Sequence, residues 1–357
     1  MFMSRIEKVR AQLAAQGLDA LVVTNLKNIR YLANFTGTTA ALIITSDQAI
    51  FVTDFRYVQQ ASKQAPDFTL LQNKKEIFAE INDFLVAHKI QKVGIEADEM
   101  TVSTYLRIKN FFGPEVVPTQ GLIEKIREIK DADELATMKK ACEITDQAFS
   151  HILTFIKPGV TEIEVANELE RYLKTLGASA MSFDTIVASG LRSAMPHGVA
   201  SDKVIEEGDV VTLDFGCYYQ GYSSDMTRTI AVGSIDPKLE EIYHIVLEAH
   251  NLVNQKAKAG MTGAELDAIA RDYISEKGYG QYFGHSLGHG VGLDIHEAPG
   301  VNSKNDQPVE VGMVITNEPG IYIEGLGGVR IEDDLVVHPD HVELLNRSPK
   351  ELIILEV

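Results

Sequence analysis

Four acids stand where an acid is costly. Residues 208–216 read GDVVTLDFG and residues 312–320 read GMVITNEPG, two segments that share the pattern G-x-V-[VI]-T-x-[DE]-x-G. Asp214 closes the apolar run Val210–Leu213 and Glu318 closes Val314–Ile315, so each carboxylate ends what reads as a buried central strand. Each is followed by a second acid on a return strand, Asp225 in the first copy and Glu332 in the second. An unpaired ionised carboxylate in such a place is driven to protonate. A strand-end acid at the surface would account for any one of them. Four at matching places in two echoing hairpins require cations, and two divalent ions neutralise about four negative charges. With one histidine added, the donor set is rich in oxygen. That suits manganese first, then cobalt or zinc, rather than a structural zinc site built on thiolates and imidazoles. Two such ions about 3.5–4 Å apart share a bridging water and lower its pKa, making a hydroxide nucleophile at neutral pH.

The histidine for this set lies within residues 283–300, FGHSLGHGVGLDIHEAPG, where His285, His289 and His296 sit among five glycines. Those glycines let backbone and imidazoles approach a crowded centre, and the spacing leaves open which histidine is the ligand. His197 sits in MPHGV, between a proline and a glycine that hold the backbone in an unusual course. Arg330 lies two residues before Glu332, so on a strand the two side chains face one way. There it would keep nearby acids ionised and oriented, a surface salt bridge being the competing reading. Glu318 has a second use: a free oxygen could pass a proton from the attacking water to a leaving group.

The elements that must position these groups fall into two parts. Residues 1–123 alternate helical and strand patterns, with helices near 4–16, 54–65, 74–88 and 101–111 and short strands between them, a small α/β domain. Residues 124–357 read as mixed α+β with a β-rich core. A long helix begins at Asp131 and stops at Lys157-Pro158-Gly159. A second has Thr161 as N-cap, with Glu164 completing a capping box, and two more lie near 236–258 and 262–277. The chain has 357 residues, and its 51 acidic against 33 basic residues give a formal net charge of −18. Such a surface repels phosphate backbones, so neither nucleic acid nor an anionic membrane is an expected partner. Two cysteines without CxxC spacing and a charged N-terminal helix indicate a cytoplasmic protein.

These residues resemble a family, the pita-bread metallopeptidases: Xaa-Pro dipeptidase (prolidase), Xaa-Pro aminopeptidase (aminopeptidase P) and, more distantly, methionine aminopeptidase. The likeness rests on HSLGHGVGLDIHE at 285–297, the spacing Asp214-x10-Asp225, EPG at 318–320 and RIED at 330–333. NIRYLANFTG (28–37) and TDFRY (53–57) extend it to the first domain, which methionine aminopeptidases lack. The resemblance implies two metals held by Asp214, Asp225, His289, Glu318 and Glu332. It also implies substrate-side roles for His197, as proton shuttle or donor, and for His285 and His296, at the scissile carbonyl. The substrate would be an Xaa-Pro dipeptide or a short proline-containing peptide, with dipeptidase favoured over aminopeptidase. Gly325, Gly327 and Gly328 would leave room for the proline ring. A homodimer is implied too, in which Asp54 and Arg56 could reach a neighbouring active site; the plainer reading of Asp54 is a helix N-cap. A metal-free creatinase-like hydrolase and a non-enzymatic binding module share this architecture, but both usually lack the five-ligand set that this sequence keeps.

Overall fold

The computed structural model describes residues 2–357, with side chains from Arg5 onward, and the chain forms two compact units, one through Arg127 and one from Glu128. The first unit is built on a six-stranded sheet in the order Thr69–Gln72, Ala49–Thr53, Ala41–Thr45, Ala20–Val23, Lys92–Glu96, Glu115–Thr119. Ala20–Val23 and Ala41–Thr45 are buried at every position, as unbroken apolar runs imply for strands covered on both faces. Pro118 lies on the edge strand Glu115–Thr119, where a residue without an N–H is tolerated.

Two local readings are corrected here. A helix over Leu26–Ala33 was not expected; Asn25 caps it by accepting the Lys27 N–H, and it ends at Asn34 in the left-handed region (φ 53°). Its buried Asn28 donates to Glu96 (2.7 Å) and Glu124 (2.6 Å) and accepts from Arg127 (2.9 Å), which ties the short helix Glu124–Arg127 into this unit. Asp54 caps no helix. It accepts the Arg56 N–H at 2.9 Å and pairs with the exposed Arg56 guanidinium at 2.7 Å, so the turn 54–57 intervenes and the helix starts only at Val58.

In the second unit the long helix spans Ala132–Ile152, and Asp131 and Glu134 form a reciprocal capping box. It ends before the Lys157–Gly159 stop because its last amides tighten to three-residue bonds, Thr154 to His151 and Phe155 to Ile152. The next helix, Glu162–Thr175, carries the expected box from Thr161 and Glu164. These two helices cover a sheet of Ile186–Ser189, Val210–Phe215, Met226–Val232 and Ile354–Leu355. Helices Pro237–Lys256 and Gly263–Glu276 cover a second sheet, in the order Glu297–Val301, Gly288–Gly290, Val314–Asn317, Asp333–Val337, Val342–Leu344. Among the described residues no helix is long and apolar enough to cross a membrane.

The sequence echo becomes a structural one. Val210–Phe215 pairs antiparallel with Met226–Val232, Phe215 opposite Met226; Val314–Asn317 pairs antiparallel with Asp333–Val337, Asn317 opposite Asp333. In both copies one acid stands within one residue of the outgoing strand's end, Asp214 just before Phe215 and Glu318 just after Asn317, and the other, Asp225 or Glu332, directly precedes the return strand. Each sheet thus delivers two carboxylates from the same end of a hairpin.

Candidate functional site

The nine histidine, carboxylate and arginine positions singled out in residues 124–357 line one cavity of about 340 Å³; Asp54 and Arg56 are not among its lining. His289 Nε2 lies 3.7 Å from Asp225 Oδ2 and 3.5 Å from Glu318 Oε1. Single donor atoms of Asp225, His289 and Glu332 all fall within 4.8 Å of one another. His289 Nδ1 is 3.0 Å from the Gly290 carbonyl, so that nitrogen carries the hydrogen and the Nε2 lone pair faces the acids. The strand that presents this ring is squeezed between two others. A Cβ on Gly288 would stand 2.1 Å from Thr316 O and one on Gly290 2.2 Å from Ala298 O, so only glycine fits on either side of His289.

The acids are held by groups that the sequence reading missed. Thr227 donates to Glu332 Oε2 (2.6 Å). Thr316 donates to Glu318 Oε1 (3.1 Å) and accepts the His289 N–H (3.0 Å). Asp334 accepts the Asp225 N–H at 2.9 Å. Arg228, fully buried, donates to the Glu332 carbonyl (2.6 Å) and to Asp333 (2.6 Å). Arg330, singled out in the sequence, donates from Nη2 to Asp214 Oδ2 at 2.6 Å, with both groups buried.

The charge balance is unfavourable as the protein stands. Burial pushes the Asp225 and Glu332 carboxyls well above the usual range, and the neighbouring acids push them further. Burial also lifts Glu318 to about 8, against the opposing pull of Arg330. The His289 imidazole is held down to about 4 by burial and is therefore uncharged at neutral pH. Burial disfavours the Arg330 cation, yet Tyr322, Asp214 and Glu332 outweigh that and keep it charged. Asp214 Oδ1 and Asp225 Oδ1 are buried without any hydrogen-bond partner among the described residues. Buried oxygens without donors, beside a neutral imidazole with its lone pair free, fit divalent cations.

The remaining positions divide. The His285 Nδ1 is 2.8 Å from the Ser286 carbonyl and its Nε2 is 2.9 Å from the Tyr322 hydroxyl, which in turn accepts from Arg330 Nη1 at 2.7 Å. Both ring nitrogens are thus engaged, and His285 reaches a substrate only by exchanging one of these bonds. Tyr322 carried no signal by residue type. Its signal was register: Gly320 pairs opposite Arg330, so Tyr322 is the diagonal neighbour of Arg330, with the bare Gly320 beneath its hydroxyl. His296 stacks edge-on against His289, ring centres 4.4 Å apart, beside the buried pair Lys130–Glu297 (2.7 Å). His197 is exposed within the cavity. Gly327 and Gly328 do not line it; a Cβ on Gly328 would stand 2.4 Å from Ser193 O, so their smallness serves hairpin packing. Gly325 is absent from the wall as well, which is apolar through Phe183, Ile186, Pro196 and Val199.

A buried, oxygen-rich centre with one imidazole, set between two hairpin-bearing sheets, defines a metal-dependent hydrolase. Comparison with known proteins agrees: the model of "Metallopeptidase family M24" matches residues 136–339 and that of the "Creatinase/Prolidase N-terminal domain" matches residues 5–129. The chain belongs to metallopeptidase family M24, with a creatinase/prolidase-type N-terminal domain. It is 42% identical over 358 residues to the Xaa-Pro dipeptidase of Pyrococcus furiosus, covering 98% of this chain and 99% of that one. A solved Xaa-Pro dipeptidase from Bacillus anthracis superposes with a TM-score of 0.98 at 55% identity, covering 99% of this chain and 100% of that one. An X-Pro aminopeptidase from Thermotoga maritima superposes at 0.90 with 39% identity, covering 95% and 98%.

Proposed function

We propose that this metallopeptidase uses two metals to cleave the peptide bond before proline, with Xaa-Pro dipeptides as its preferred substrates. The observation that carries the reading is the convergence of the Asp225, His289 and Glu332 donors within 4.8 Å, beside buried carboxylate oxygens that have no donor of their own. Asp214, Asp225, His289, Glu318 and Glu332 would hold the ions, manganese first, with cobalt or zinc as alternatives. Bound there, two divalent ions supply Lewis acidity and an activated water.

The chain's own groups do the rest. Arg330 fixes the orientation of Asp214 through the 2.6 Å bond to its Oδ2. Glu318 moves a proton from the entering water to the leaving nitrogen. Exposed His197 and neighbouring His296 donate toward the scissile carbonyl, where hydrogen bonds to developing oxyanion charge weigh most. The bond before proline has no N–H, so a site that requires that donor fails, whereas one that grips the free amine and the carbonyl does not. The wall of Phe183, Ile186, Pro196 and Val199 offers the pyrrolidine ring an apolar surface. The relatives named Xaa-Pro dipeptidase support the dipeptide preference. The likeness to an X-Pro aminopeptidase supports a second reading, cleavage of Xaa-Pro-Yaa. A cytoplasmic homodimer completes the proposal.

The test is turnover of Xaa-Pro and of Xaa-Pro-Yaa by chelator-stripped enzyme before and after addition of Mn or Co. The expected result is loss on stripping, recovery on addition and a higher kcat/KM for the dipeptide. Full turnover after verified metal removal overturns the metal reading, and a higher kcat/KM for the tripeptide transfers the assignment to the aminopeptidase.

A further inference from the structure

Glu162 lies outside the cavity, in the first turn of the helix Glu162–Thr175, and is 0% exposed. A buried carboxylate is tolerated only where donors and a cation replace its water. Here every side-chain partner comes from one stretch of chain. Oε1 accepts the Ser189 N–H (2.7 Å) and hydroxyl (2.8 Å). Oε2 accepts the Ser201 N–H (3.0 Å) and hydroxyl (2.6 Å), together with the Arg192 guanidinium. Ser189 ends the strand Ile186–Ser189, and Ser201 closes the segment that follows it. One carboxylate therefore holds both ends of a loop, a compact arrangement whose shape depends on that closure.

Within the loop come a short 3₁₀ turn, Gly190–Ala194, and then Pro196, His197 and Val199, three residues that line the cavity. The restraint continues inward. Arg192, held by Glu162, also donates to the Val199 carbonyl at 2.9 Å. Gly198 packs so closely that a Cβ there would stand 2.9 Å from the Ala188 methyl. Ser193 accepts the Gly328 N–H at 2.9 Å, which fixes the outer turn to the hairpin that carries Arg330. The His197 ring, in contrast, makes no hydrogen bond among the described residues, so no side-chain bond competes with the loop backbone in setting its place.

We infer that Glu162 is a positioning residue: it clamps the 189–201 loop so that His197 meets the substrate at a fixed place. The functional half of this inference rests on the Xaa-Pro reading and on a substrate-facing His197; the clamp itself does not. Glu162→Gln keeps the shape but turns one acceptor oxygen into a donor that faces donors. With metal content unchanged and KM within about threefold, kcat should fall about tenfold or more, the scale of a small misplacement of a reacting group. The double variant Glu162→Gln/His197→Ala should be no slower than His197→Ala within about twofold, because one acts through the other. Multiplied losses, or wild-type kcat in Glu162→Gln, overturn the proposal.

A second readout needs no substrate. Amide exchange over 189–201 should quicken about tenfold in Glu162→Gln while the rest of the unit keeps its rates, and unchanged exchange overturns the clamp. If Glu162→Gln does not fold, Ser189→Ala with Ser201→Ala removes two hydroxyl donors and leaves the carboxylate, its two N–H partners and Arg192. The same loop-confined quickening and fall in kcat, each smaller, are then expected, and wild-type values for both overturn it. Absence of Xaa-Pro turnover in metal-loaded wild type, with exchange behaving as described, would sink the functional reading and leave the clamp standing.

Discussion

In metal-free protein, replacing Glu318 by Gln should flatten the dependence of stability on pH between 6.5 and 8. Burial lifts the folded Glu318 carboxyl from 4.5 to about 8, while in the unfolded chain it ionises at its ordinary value. The folded state binds that proton more tightly, so the stability it contributes is complete below pH 4.5 and lost as pH rises toward 8. His285 and His289 run the other way. Both are held down to about 4, chiefly by burial, so they lower stability as pH falls below the ordinary 6.5 and add almost no slope above it. The clean window is therefore about 1.5 pH units wide, and at about 1.4 kcal/mol per pH unit Glu318 accounts for about 2 kcal/mol. With its side chain only 17% exposed, little of this is lost to solvent screening. Glu96 and Asp334, pushed up to about 7 chiefly by burial, tilt the curve in the same direction, but both are present with and without the substitution and cancel. Glu332 and Asp225, whose carboxyls are raised partly by the charge of Glu318, relax in Glu318→Gln and widen the gap. Urea unfolding in chelator at pH 6.5 and pH 8 measures it: the stability lost between the two should be greater in wild type than in Glu318→Gln by about 2 kcal/mol or more. Equal losses would refute the picture of a carboxylate crowded into a site built for cations. Manganese at about a hundred times its Kd should restore about 2.7 kcal/mol to wild type at pH 8, with a smaller gain in Glu318→Gln.

His289→Ala and His197→Ala should part company. The first should lose bound metal in elemental analysis, whereas the second should keep it while kcat falls about 100-fold, and equal metal loss in both would merge roles that are separate here. Gly288→Ala places a methyl against Thr316, the residue that holds both His289 and Glu318. It should lower stability by about 2 kcal/mol or more and weaken manganese affinity together, read by urea midpoint and metal titration; a wild-type midpoint would show that the strands can separate freely.

Much of this arrangement is legible in the chain because its signals are local. Helix starts follow from capping pairs such as Thr161 and Glu164, and the acids follow from two matching nine-residue segments. The helix Leu26–Ala33 escaped because it is only two turns long and its buried Asn28 finds partners 68 to 99 residues away. The same reason hid Thr227, Thr316, Asp334 and Arg228. They are ordinary residue types whose role is a hydrogen bond to an acid, and no spacing rule marks them. Tyr322 could have been reached by pairing the strands 320–323 and 327–330 and asking what stands diagonal to Arg330. Asp54 failed as a helix cap because Arg56, two residues on, competes for it more effectively than any helical N–H.

The distance along the chain between the two halves of the centre has a consequence for how the protein is made. Asp214 is fixed by Arg330, 116 residues later, and Glu332 by Thr227, 105 residues earlier. A chain emerging from the ribosome exposes its first hairpin, with two acids and no imidazole, long before the second exists. Such a hairpin is a weak chelator, and metal affinity of this kind comes with folding rather than before it. Peptide-bond cleavage therefore stays latent until synthesis has passed Glu332, the last of the proposed ligands, and both sheets have closed. The safeguard lies in connectivity.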